Sequence, residues 1–367
     1  MPFLEIDQLT QLFPGGGGGV HSISFSVEQG ECVAMLGPSG SGKSTLMRLI
    51  AGLNEPDSGT VRMDGREVTD WPPHRRKVAF VPQKPALYPE MTVGQLVEAS
   101  SSLRARNREE TKKGTISPAE ALNLLRLEPL VDRRAHQLSG GEKQRISLAI
   151  ALVRGADLWL LDEPFAPLDQ PFRAEFRQDL HLIHERCAAT IIFVTHDPVD
   201  AWALGRRVGV LGEGRLQCFG SPEELAARPG NRFVAFCLGR FCFVDGKTRD
   251  GNFESDDGSV VGRLPDGMTL PDRITLGVRS RELMRTMPTP TDASRAIAFR
   301  GWTVSSAVPE SEGWMLTLTR GTVRIEAVWK SGRPPLGETA DWFCPADRCE
   351  WFDPRSGNRI ETNVRVG

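Results

Sequence analysis

Apolar and polar positions alternate through residues 3–9, beginning Phe3-Leu4-Glu5-Ile6, and again through Val20-His21-Ser22-Ile23-Ser24-Phe25-Ser26-Val27. A period of two predicts strands with one covered face. The five glycines from Gly15 to Gly19 between them predict a flexible turn. Other runs do not alternate. Cys32-Val33-Ala34-Met35-Leu36 and Val78-Ala79-Phe80-Val81 are short and apolar throughout and predict strands; Leu158-Trp159-Leu160-Leu161 and Ile191-Ile192-Phe193-Val194 predict buried parallel ones. Residues 46–53 are helix-like, 60–68 form a hairpin about Asp64-Gly65, and 207–211 make one more strand. Between about 84 and 135 the chain turns to helices and polar loops, with the charge-rich stretch from Arg104 to Lys113 as a solvated face. Ser221-Pro222-Glu223-Glu224 opens a helix, with serine as cap and proline in the first turn. Beyond about Phe233 helical periodicity fades into short strands such as 314–318 and 322–326, split by Gly and Pro, the pattern of a small β-barrel or sandwich. Five of the eight tryptophans (302, 314, 329, 342 and 351) lie there, as core or interface residues.

A chain of 367 residues accommodates two or three domains. Its net charge of −2 excludes a protein that coats nucleic acid electrostatically. No apolar run reaches the length of a membrane span and residues 1–20 lack a signal-peptide pattern, so a cytosolic chain is expected, with any membrane role reached through a partner. Seven cysteines without a C-x-x-C predict reduced thiols. Cys237 with Cys242 and Cys344 with Cys349 share one spacing, and four thiolates could hold zinc; their apolar flanks point instead to buried structural cysteines.

Four places carry chemistry. Gly37-Pro38-Ser39-Gly40-Ser41-Gly42-Lys43-Ser44-Thr45 reads G-x-x-x-x-G-K-S-T between a strand and a helix, the context a phosphate-binding loop demands. Its glycines let backbone N–H groups turn toward phosphate oxygens, the helix start adds its positive end, Lys43 supplies a point charge and Ser44 a hydroxyl for Mg²⁺. Leu138-Ser139-Gly140-Gly141-Glu142 contains a capping box, Ser139 with Glu142, opening a helix that runs to about Val153; it is a second N–H-rich helix start suited to an anion. The strand at 158 ends in Asp162 and Glu163, the first suited to Mg²⁺ and the second to polarising a water. The strand at 191 ends in Thr195-His196, delivering a polar residue in the same way.

Together these motifs resemble the ATPase subunit of ABC transporters over residues 3 to about 230. The resemblance implies an α/β P-loop nucleotide-binding domain at 1–232, with antiparallel β and helical subdomains, the helical one at about 84–153. It implies ATP and Mg²⁺ as ligands. Phe13 would stack on adenine, residues 37–45 would hold the phosphates, and Gln83 would be the Q-loop glutamine, beside Ser44 and Asp162 at the metal. Ser139, Gly140 and Gly141 would be the signature, Ala166-Pro167-Leu168-Asp169 the D-loop, Glu163 the catalytic carboxylate and His196 the switch histidine. Two copies would sandwich two ATPs, each signature reaching the other copy's P-loop. Residues 233–367 resemble the C-terminal regulatory domain of maltose-type importer ATPases, an OB/TOBE-like all-β domain that would regulate or dimerise; Asn231 to Phe236, Leu276-Gly277-Val278-Arg279 and Trp351-Phe352-Asp353-Pro354 carry this. The implied partners are permease subunits, a second ATPase subunit (identical or paralogous) and, indirectly, a solute-binding protein. The implied place is the cytoplasmic face of the inner membrane, peripheral and held by the permease. Leu87 and Tyr88, just after Gln83, are expected to line a groove for a short permease helix.

The expected activity is ATP hydrolysis driving import of a sugar or glycerol-like polyol, with iron, sulfate or polyamine import as alternatives of the same layout. A non-transport ABC ATPase is the remaining alternative. No heptad insertion separates Thr45 from Leu138, as a coiled-coil repair ATPase requires, and there is one P-loop rather than two. The chain departs from the family's usual pattern at Phe13 (for Tyr), Glu142 (for Gln), Ile150 (for Arg), Trp159 (for an aliphatic) and Ser280 (for Pro).

Overall fold

The computed structural model describes residues 2–15, 18–106, 116–265, 268, 270–286, 296–310 and 313–361. The middle of the glycine turn and residues 107–113 of the charge-rich 104–113 stretch lie outside the described residues. The chain divides into two compact units, Met1–Leu225 and Ala226–Gly367, a slightly earlier division than the expected one after residue 232.

The strands of the first unit are β1 (Leu4–Leu12), β2 (Gly19–Val27), β3 (Cys32–Leu36), β4 (Ser58–Met63), β5 (Arg66–Glu67), β6 (Val78–Val81), β7 (Leu158–Asp162), β8 (Thr190–Thr195), β9 (Arg207–Gly212) and β10 (Arg215–Gly220). Its helices are α1 (Lys43–Ala51), α2 (Val93–Arg106), α3 (Pro118–Leu124), α4 (Gly140–Arg154), α5 (Gln170–Cys187) and α6 (Pro198–Leu204); α7 (Pro222–Ala227) crosses the division between the units. A six-stranded sheet of order β10-β9-β3-β8-β7-β6 is parallel except at the β10–β9 edge, and a four-stranded antiparallel sheet has the order β2-β1-β4-β5. Strands β3, β7 and β8 are buried along their whole length, which is why their sequences carry no polar alternation. Between the sheets α1 buries Leu46, Met47, Leu49 and Ile50 in one core with Ile6, Leu9 and Ile23 of the antiparallel sheet and Val33, Met35, Leu160 and Ile192 of the parallel one.

The helical segment is fastened to α5 by charge. Arg145 on α4 reaches Asp179 on α5 at 3.0 Å, and Arg126 pairs with both Glu175 and Asp179. Asp179 is 4% exposed, so its carboxylate has exchanged water for these guanidiniums.

Among its described residues the second unit holds α8 (Arg232–Cys237) and nine strands: β11 (Phe241–Arg249), β12 (Asn252–Ser255), β13 (Val260–Arg263), β14 (Arg273–Arg279), β15 (Ala296–Glu310), β16 (Gly313–Arg320), β17 (Val323–Trp329), β18 (Thr339–Pro345) and β19 (Glu350–Phe352). All pair antiparallel in the order β17-β16-β15-β13-β12-β11-β14-β19, with β18 joined to β15. Trp302, Trp342 and Trp351 are wholly inside this core, while Trp314 and Trp329 lie at its margin. Cys344 and Cys349 bring their sulfurs to 3.7 Å in the same core. Burial pushes the Cys242 thiol up to about 12 and the Cys349 thiol well above its ordinary value. Ser280 is buried where its hydroxyl donates to the Arg240 carbonyl at 2.9 Å, a bond proline could not make.

Candidate nucleotide-binding site

Strands β3, β8 and β7 are neighbours, so their carboxyl ends deliver residues 37–45, His196 and Asp162-Glu163 to one edge of the sheet, the edge where open α/β sheets place ligands. The loop leaving β3 is shaped by close approach. A Cβ at Gly37 would lie 2.3 Å from the Leu211 carbonyl oxygen, and one at Gly42 would lie 2.5 Å from that of Gly19. Gly42, with φ 98°, caps α1 in the left-handed region that a side chain disfavours. Lys43 is 5% exposed, and its Nζ donates to the carbonyls of Gly37 at 2.8 Å and Pro38 at 2.9 Å. Pro38, Ser39, Gly40 and Ser44 are exposed, and Thr45 is half-buried. Ser41 Oγ is buried without a hydrogen-bond partner among the described residues, a group that a ligand in this loop would satisfy.

Ser44 Oγ donates to Asp162 Oδ1 at 2.9 Å, across 118 positions of chain. Burial holds the Asp162 carboxyl above its ordinary 3.8, and the Glu163 charge adds to this; the Ser44 bond pulls the other way. A hydroxyl and a desolvated carboxylate side by side form a hard-oxygen donor set that fits Mg²⁺, whose charge would relieve the penalty. Because the folded chain keeps the Asp162 proton to higher pH than an unfolded one, ionising it costs stability at every pH above that window. Asp162→Asn should therefore raise the melting midpoint of the nucleotide-free chain at neutral pH by about 2–4 °C and remove any rise produced by Mg²⁺ with ATP. Calorimetry with and without the metal checks this. A lower midpoint would show the carboxylate to be stabilising.

Glu163 stands at φ 45°, a left-handed conformation rare for a side-chain-bearing residue and frequent at functional positions. His196 Nδ1–H donates to Glu163 Oε2 at 3.0 Å. His196 itself is held from both sides. Thr195 Oγ1 donates to Asp200 Oδ2 at 3.1 Å, and Asp197 Oδ1 accepts the Val199 N–H at 2.8 Å as the cap of α6. Asp200 has no exposed surface and receives Arg173 through two nitrogens and Arg177 at 2.8 Å. This anchor was missed in the sequence. Arg173 and Arg177 stand at helical spacing, but nothing there links them to an acid after the histidine.

At the start of α4, the Ser139 N–H donates to Glu142 Oε2 at 2.7 Å and the Ser139 hydroxyl to the same oxygen at 2.8 Å; the Glu142 N–H returns a bond to Ser139 Oγ at 3.3 Å. A Cβ at Gly141 would meet Leu168 at 2.5 Å and one at Gly140 would meet Pro167 at 3.4 Å, so residues 166–169 run beside this turn. Asp169 is exposed there, at the N-cap position of α5 but without a side-chain capping bond. Phe13 is 41% exposed on the turn after β1, Gln83 is exposed in the loop after β6, and Tyr88 is 73% exposed. Thus Lys43, Ser44 and Asp162 form one cluster and Glu163 and His196 an adjoining pair, while the Ser139 side chain is engaged within its own helix start. Among the described residues no helix is long and apolar enough to cross a membrane.

A family model described as ABC transporter matches residues 20–166. The sn-glycerol-3-phosphate import ATP-binding protein of Yersinia pseudotuberculosis is 32% identical, the match spanning 98% of this chain and 100% of that protein. The protein of the same name from Ralstonia nicotianae is 33% identical over 93% and 94%. Among solved structures, cbiO1 of Clostridium perfringens, part of the ABC transporter complex cbiONQ, matches 62% of this chain and 91% of its own with 28% identity and a TM-score of 0.53. The dimeric post-hydrolysis form of the cassette MJ0796, bound to ADP and Pi, matches 59% and 98% with 28% identity and a TM-score of 0.51. A P-loop, an Asp-Glu strand end paired to a histidine, and full-length likeness to import ATPases converge: the chain belongs to the ABC transporter family, as an ATP-binding, ATP-hydrolysing subunit.

Proposed function

We propose that this chain powers uptake of glycerol 3-phosphate or a closely related polyol phosphate through a membrane permease, working as a two-copy ATPase at the inner face of the membrane. The carrying observation is the Glu163–His196 pair beside the Ser44–Asp162 pair, at adjoining ends of parallel strands. The solute follows the relatives named above.

In this reading Phe13 stacks on the adenine, the loop N–H groups and Lys43 hold the phosphates, and Ser44, Asp162 and Gln83 hold Mg²⁺. The metal, when bound, neutralises charge on the outer phosphate oxygens. Glu163 orients the attacking water and takes its proton, and His196 fixes the Glu163 carboxylate. Ser139, Gly140 and Gly141 close on the ATP of the second copy, and Asp169 lies against that copy. Exposed Tyr88, with half-buried Leu87 beside it, offers apolar surface to the permease. The second unit, which carries no phosphate loop, holds the two copies together, raising the effective concentration of one cassette at the other, and a solute-binding protein delivers cargo from outside.

Uptake of radiolabelled glycerol 3-phosphate by cells lacking this chain should fall to background. The parent chain should restore it and Lys43→Ala should not, while Tyr88→Asp should bind nucleotide at parent affinity yet restore little uptake. Normal uptake without the chain would sink the solute assignment.

A further inference from the structure

Ser139 has two protons to offer an incoming oxyanion, and both are given to one oxygen of Glu142, at 2.7 and 2.8 Å. A hydroxyl carries a single proton, so it cannot donate to Glu142 and to a phosphate at once. The carboxylate is also a charge of the same sign as the phosphate that the turn is read to meet. A neutral amide in this place would act differently. Its oxygen could still take the Ser139 N–H, while its NH₂ would donate to Ser139 Oγ and turn the hydroxyl proton outward.

We propose that Glu142 is a positioning residue that gates the 139–141 turn: its carboxylate occupies the serine's donors, and ATP held by the second copy must displace it before the two copies close. The inference rests on the two-copy reading above. It makes closure demand more ATP than the rest of the site requires, and it assigns that demand to one side chain. The gate is electrostatic, so it weakens as salt screens the two like charges.

The test uses the full chain carrying Glu163→Gln, so that bound ATP persists, with and without Glu142→Gln. Dimer fraction is followed by sedimentation against MgATP concentration at about 50 mM and about 500 mM salt. Glu142→Gln should reach half-maximal dimer at about tenfold lower ATP, the factor one charge-assisted hydrogen bond is worth, and the gap should narrow at high salt. The nucleotide-free melting midpoint should not move, because the amide retains the cap. In the chain with Glu163 intact, the same change should lower KM for ATP while leaving kcat within about twofold. Equal ATP dependence in the two chains, with ATP still driving dimerisation, overturns the gate and leaves the two-copy reading standing. A gap unchanged by salt overturns its electrostatic basis. No ATP-driven dimer in either chain overturns the two-copy reading and the gate with it.

Discussion

Glu163→Gln is expected to bind MgATP at close to the parent affinity and to hydrolyse it about 10²–10⁴ times more slowly, the cost of removing a positioned general base. The amide matches the carboxylate in shape, so the left-handed turn at residue 163 and the Val194 carbonyl bond to its N–H, 3.2 Å long, should persist. What is lost is the capacity to take a proton. The His196 bond also changes character, since the imidazole N–H then meets a neutral oxygen in place of a charged one. Single-turnover hydrolysis together with a nucleotide-binding titration separates the two effects. Hydrolysis at the parent rate, with permease partners present, would remove Glu163 from the chemistry. Loss of binding alongside activity would show that the residue serves the fold of the turn instead.

Asp200→Ala should cost about 3–5 kcal/mol of stability, because it strands Arg173 and Arg177 without their shared buried acid. Burial disfavours the charged Arg173 guanidinium, and the Asp200 and Asp197 carboxylates more than offset this, holding it above its ordinary range. Removing Asp200 reverses that balance. The Thr195 hydroxyl loses its acceptor as well, so the backbone on either side of His196 loosens. Urea unfolding of the mutant, read beside Asp197→Ala, checks the size. Asp197 is partly exposed and shares Arg173 only at its edge, 3.2 Å away, so its removal should cost far less. A loss under about 1 kcal/mol for Asp200→Ala would mean the guanidiniums find water.

Much of this architecture is local and therefore legible. β6 and β7 were readable because a short apolar run bounded by turn signals fits a buried strand, and the start of α4 because a capping box announces itself in four residues. The strand ends that carry Asp162, Glu163 and His196 follow from the same runs. α5 was passed over although Phe176, Leu180 and Ile183 recur at helical spacing and are buried; a narrow stripe among many charges is easily taken for a loop. What could not be read is what distant segments make together. The Asp200 cluster joins two helices across a strand. β15 pairs with β13, β16 and β18, and its fifteen residues include a proline and a glycine that locally argue against so long a strand. The division between the units falls inside α7, a few residues before the change of texture near Phe233, because a helix that crosses it keeps one periodicity on both sides.

Lys43 does not wait in solvent for a ligand: its ammonium ends on the carbonyls of Gly37 and Pro38, part of its own loop. An ammonium has three N–H donors, and two of these end on the loop, so the loop itself fixes where the charge sits. A side chain held in this way has little rotamer freedom left to lose when a phosphate binds. For an ATPase that turns over repeatedly, its strongest charge is arranged once, by folding, and not again at every turnover.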